Sequence, residues 1–205
     1  PDLWTRWNDL GIAAWRQNDT RLAALAFAEV DRLKPDLPDG PRNLARVAIA
    51  EGRFEDALEL LKKAEARAPG DPRTAFFFGT ALSRLGRYDP ALEAFERTLA
   101  DFPQDRNSLQ EIAEILFRTG DFAKSLEWWL RVLEIDPEDA NAHYHRQQCY
   151  QRLGREADAA EAEKSFLRYK IDEDAAEKTN AYLRAHPEVN HEVQRVHVHE
   201  LHPAR

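Results

Sequence analysis

The side chains of this sequence that could hold a metal are its histidines and its one cysteine. His143, His145 and Cys149 fall in one helical stretch, and His145 and Cys149 are four residues apart, on one helix face. His197, His199 and His202 fall in "VHVHELHP". An H-x-H pair in an extended segment places both rings on one side, and imidazoles are common ligands of zinc, copper and haem iron. The sequence has no H-E-x-x-H and no C-x-x-C-H, so neither a zinc-protease helix nor a covalent haem site is written in it. The helical trio also reads as a partly buried polar cluster, and the tail trio as a solvated or partner-docked segment. No enzyme chemistry competes with these readings. There is no glycine-rich phosphate loop after a strand, and the acids stand at helix-surface spacing, as in Glu59–Lys63. Cys149, alone in a helix, reads as packing.

The elements that must position these residues follow a fixed beat. Pro35, Pro69, Pro103 and Pro137 are 34 residues apart, and so are Gly52, Gly86, Gly120 and Gly154. A proline ends the helix before it, because it lacks an N–H and disfavours helix in the preceding residue. A glycine tolerates the left-handed turn that closes a helix. Two residues after the glycines stand Phe54, Tyr88, Phe122 and Glu156. The unit is therefore helix, glycine turn, helix, proline turn, and a repeat of this length is the first thing to read. Helices are expected at 2–17, 20–33, 41–51, 54–67, 72–85, 88–101, 106–118 and 122–135, with a further pair from Ala140. The fifth unit is degenerate: Arg146, Gln147 and Glu163 stand where earlier units carry apolar or small residues, as suits a terminal repeat. One more helix is expected over 173–185, then an extended tail over 188–205.

With 43% hydrophobic and 32% charged residues, the chain is of the globular class. A net charge of −8 argues against general nucleic-acid binding, which needs a basic face. No apolar run reaches the roughly 18 residues that a membrane span requires. A single cysteine excludes an internal disulfide and gives no vote on compartment. The sequence begins at Pro1 and contains no methionine, which reads as a mature product or a piece of a longer chain.

These features resemble the tetratricopeptide repeat family. The first unit carries Trp7, Leu10, Gly11, Ala23, Phe27 and Pro35; the third carries Phe78, Gly79, Tyr88, Ala91, Phe95 and Pro103. Ala45 and Ala113 replace the early glycine, and Trp129 replaces the usual Phe. The resemblance implies an all-α, right-handed superhelix of repeats at about 4–37, 38–71, 72–105, 106–139 and 140–173, with a C-terminal capping helix, over 1–187 as a whole. It also implies a protein–protein interaction scaffold, a monomeric array by itself, whose first helices line a concave groove. The groove residues so implied are Asn8, Ile12, Trp15 and Arg16; Arg42, Asn43 and Arg46; Arg73, Phe76, Phe77, Thr80 and Arg84; Glu111, Glu114, Phe117 and Arg118; and Tyr144, His145, Gln148 and Arg152. Arg16, Arg84, Arg118 and Arg152 share one place in four units. Arginine forks suit carboxylates and stack on aromatics, which points to an anion or an acidic peptide. The alternative is that these arginines pair with acids of neighbouring helices. A subfamily grips chaperone C-termini with a carboxylate clamp. Asn43 and Arg73 occupy two of its five places while Asn8, Ile12 and Phe77 depart from it, so chaperone binding is not expected.

A narrower resemblance lies at the two ends. "LWTRWNDLGI" (3–12) and the stretch from "FLRYKIDEDA" to "VQRVHVHE" (166–200) look like repeat segments associated with bacterial multihaem c-type cytochromes. This implies an exported location, periplasmic or extracellular, and a haem-bearing partner. His197, His199 and His202 are then candidate distal haem ligands or docking residues, and metal binding by the same three is the further alternative. No cofactor is expected in this chain, and the haem so implied belongs to the partner.

Overall fold

A computed structural model describes residues 2–170 of the chain. Among them every regular element is a helix, in the order α1 Leu3–Arg16, α2 Thr20–Leu33, α3 Asp39–Ala50, α4 Phe54–Arg67, α5 Pro72–Arg84, α6 Tyr88–Asp101, α7 Arg106–Thr119, α8 Phe122–Ile135, α9 Ala140–Arg152 and α10 Glu156–Tyr169. The expected boundaries hold to within one or two residues. The largest difference is α3, which starts at Asp39: Pro41 falls in its first turn, where a missing N–H is not needed. The capping helix expected over 173–185 and the tail over 188–205 lie outside the described residues. The chain divides into two compact units, Pro1–Asp101 and Phe102–Arg205, with the boundary between α6 and α7.

Local chemistry sets the ends of the helices. Asp71, Asp105 and Asp139 stand 34 apart and cap α5, α7 and α9, each carboxylate accepting the backbone N–H three residues on. Gly120 closes α7 at φ 89°, in the left-handed region. The first repeat has no glycine at that place. Asn18 stands there at φ 60°, and asparagine is one of the few side chains that visit this region.

In the first compact unit α2 packs on α1 and α3, α4 on α3 and α5, and α6 on α5. Gly11 and Gly79 leave room for a ring from the second helix of their pair. A Cβ on Gly11 would stand 2.5 Å from the Phe27 ring, and one on Gly79 would stand 2.7 Å from the Phe95 ring. Where the small residue is Ala45, the partner sixteen residues on is the narrower Leu61, and both are fully buried. In the second compact unit α8 packs on α7 and α9, and α10 on α9. Ala113 and Trp129 there occupy the same two places and are fully buried, as are Leu109, Ile112, Val132 and Cys149.

Candidate functional site

The first helices of the first compact unit lie side by side. Asn43 on α3 donates to the side-chain oxygen of Asn8 on α1 at 3.3 Å. Seven residues on from Asn8, two helical turns along the same face, the Trp15 ring carries the Arg46 guanidinium 4.5 Å from its centroid. Asn8, Asn43, Trp15 and Arg46 are all partly exposed. Burial pulls Arg46 below its ordinary pKa, with no opposing attraction from a nearby acid. On α5, Phe76 is partly exposed and meets Phe77 and Phe95 edge to face at 5.5 and 5.8 Å. Thr80 donates to the Phe76 carbonyl at 3.0 Å, and Arg73 is exposed.

Three residues expected in the groove are taken up inside the unit. Ile12 packs with Phe27 and Val47. Phe77 packs into the preceding repeat, against Ala45, Ala48, Leu58 and Leu61, where the two alanines leave room for its ring. Arg42 is buried because two carboxylates reach it, Asp39 at 2.6 Å and Asp71 at 2.8 Å. Asp71 is at once this cation's partner and the cap of α5, since it also accepts from the backbone N–H and hydroxyl of Thr74. Burial alone would raise the Asp71 carboxyl; the Thr74 and Arg42 donors outweigh it and hold the pKa below the usual value. Arg42 is thus a strut between α3 and α5.

The second compact unit presents a different chemistry. On α7, Arg118 pairs with Glu114 at 3.5 Å, and Phe117 meets Phe122 edge to face at 5.2 Å. Glu111 is partly exposed on the same helix. On α9, Tyr144 is 41% exposed and lies 5.4 Å from Phe166 of α10. Gln148 is partly exposed, and Arg152 lies over the Phe122 ring at 5.5 Å. The His145 ring stacks on Trp129, nearly parallel at 4.5 Å, with the edges of Phe117 and Tyr144 beside it. Burial pulls its pKa down, against the pull of Glu114 and Asp139 in the other direction.

The four arginines of the shared place all fall in the last turn of a first helix, where a cation meets the carbonyl end of the helix dipole. Arg118 and Arg152 have the partners just named, and Arg16 and Arg84 are also engaged. The signal for this role was their position just ahead of each turn.

The helical metal candidates do not converge. The Nε2 of His143 lies 2.8 Å from the Pro137 carbonyl, and its ring stacks on Tyr169 at 5.3 Å. His145 belongs to the aromatic stack. Cys149 is buried and donates to Ser125, whose hydroxyl donates to the Ala113 carbonyl. Among the described residues no group of three or more metal-binding side chains forms, and no helix is long and apolar enough to cross a membrane. His197, His199 and His202 lie outside the described residues.

Paired helices and a small residue facing a large one every 34 residues, with aspartate caps on α5, α7 and α9, define a helical-repeat protein. Models described as tetratricopeptide repeat match residues 8–72 and 78–140, and another of the same description matches 41–104. The chain belongs to the tetratricopeptide repeat family, whose members are interaction scaffolds. Solved structures of MamA share the fold. One titled MamA 41-end from Desulfovibrio magneticus RS-1 superposes with a TM-score of 0.73 at 18% identity, covering 83% of this chain and 96% of that one. Two further MamA crystal structures give TM-scores of 0.71 and 0.69, each at 20% identity over 82% of this chain, and cover 97% and 91% of their own. No curated protein matches the sequence.

Proposed function

We propose that the chain is a scaffold whose first helices hold a segment of a protein partner. The observation that supports this is the exposed side of α1, α3 and α5. Its Asn8, Trp15, Asn43, Arg46, Arg73 and Phe76 side chains keep polar and aromatic surface outside the core, at least in part. Aromatic and arginine side chains of this kind carry much of the energy of protein interfaces. Family membership supports the scaffold reading.

The test places a photo-crosslinking amino acid at Arg73 or Tyr144 on first helices, and at Lys62 or Lys124 on second helices, in cells of the source organism. The first pair of positions gives a discrete crosslink to another protein and the second pair does not. Crosslinks confined to Lys62 and Lys124 overturn the reading. Capture that survives blocking of Arg73 and Tyr144 but disappears when the chain is cut after Pro187 moves the function to the C-terminal segment, in line with a cytochrome contact.

A further inference from the structure

We infer that Arg46, with Trp15 beneath it and the Asn8–Asn43 pair further along the same face, forms a subsite for the side-chain carboxylate of a single Asp or Glu in a segment of a protein partner. The inference deepens the groove reading and rests on it. The geometry carries it. Arg46 is removed from water in part, lies 4.5 Å over an indole and feels no acid of the described residues. Its buried counterpart four residues earlier, Arg42, holds two carboxylates. Partial burial of a cation without a counterion is unfavourable, and such a group is stabilised when an anion arrives.

The shape of the group names the anion. The Arg46 guanidinium is planar and carries its N–H donors in its own plane, and two of them match the two oxygens of a carboxylate. The indole offers a partly exposed apolar surface to the methylenes of an acidic side chain. The Asn8 and Asn43 amides, with one donor and one acceptor spent on each other, keep hydrogen-bonding capacity for a neighbouring peptide group. One cation at the site matches one carboxylate. A phosphate or a nucleic acid calls for a cluster of cations, and the chain's net charge of −8 opposes a polyanion.

The test uses the full chain and a displayed library of random peptides, as free acids and as C-terminal amides, selected in parallel on the wild type, Arg46→Gln and Arg46→Lys. Wild-type selections are expected to fix an internal Glu or Asp. The best such peptide should lose at least about tenfold in affinity on Arg46→Gln and on changing its acid to the amide, with no further loss when both changes are combined. Arg46→Lys recovers only part, because an ammonium cannot fork. Arg46→Gln should melt no lower than the wild type, which separates lost binding from lost fold. Peptides that depend on Arg73→Glu but ignore Arg46 overturn the subsite and leave the groove standing. Peptides recognised only through a free C-terminus overturn the side-chain assignment. Selections that yield no peptide sensitive to either position overturn both readings.

Discussion

At the scale of single residues, two side chains make direct predictions. Gly79 faces the Phe95 ring so closely that a methyl group would stand 2.7 Å from it, and that ring is fully buried. Gly79→Ala is expected to destabilise the chain by about 1–3 kcal/mol, read from denaturant unfolding, because an overpacked core must shift. His145 makes a prediction about pH. Burial against Trp129 lowers its pKa, so the folded chain binds this proton more weakly than the unfolded chain does. The neutral ring's contribution is complete above the unfolded value of about 6.5 and is lost as pH falls through that value towards the lower folded one. An NMR titration should place the His145 midpoint below that of an ordinary histidine, and His145→Gln should flatten the dependence of stability on pH in this window. The single residues were also where the sequence was least legible. Ile12, Arg42 and Phe77 fall on the same side of their helices as the partly exposed Asn8, Trp15 and Arg46 and the exposed Arg73. Helical spacing places a residue on a face, but which part of that face the adjacent helix covers depends on how the pairs pack, and two acids far apart in sequence decide the fate of Arg42.

At the scale of helices and turns, the 34-residue spacing of prolines and glycines made the boundaries readable, because each marks a backbone conformation and not merely a preference. What the spacing of glycines did not reveal was the turn of the first repeat, where Asn18 does the same work at φ 60°. Asn18→Val should cost about 1–2 kcal/mol in thermal unfolding, since a β-branched side chain fits the left-handed region poorly. The aspartate caps were only partly legible. Asp71 looks like any acid before a helix, yet it joins the α5 cap to the Arg42 strut. Asp71→Ala is expected to destabilise by about 2–3 kcal/mol, more than an ordinary cap, because it removes a cap and half of the neutralisation of a buried cation. The low Asp71 pKa gives the sign of its pH effect: its contribution is present above the ordinary aspartate range and fades as the pH falls through the folded value.

At the scale of the whole molecule, three features recur along the described residues: a small residue against a large one, a tight turn, and a proline exit; the aspartate caps on first helices join them from α5 onward. The fifth pair, α9 and α10, forms although Gln147 and Glu163 replace the small-and-large couple seen in the earlier repeats. Its buried surface leans instead on Ala142, Cys149, Ala159 and Ala162, and on the packing of His143. Cys149 then offers something that neither the fold nor the binding chemistry calls for. It is the one thiol in the sequence, it is wholly buried within the second compact unit, and burial pushes its pKa up in spite of the Ser125 hydroxyl. A thiol reagent can reach it only when α9 lifts away, so the rate of alkylation in native buffer is a clock for the breathing of that unit. Because the first compact unit carries no sulfur, the clock hears nothing from it, and a partner that quiets the reaction announces which part of the chain it has stilled.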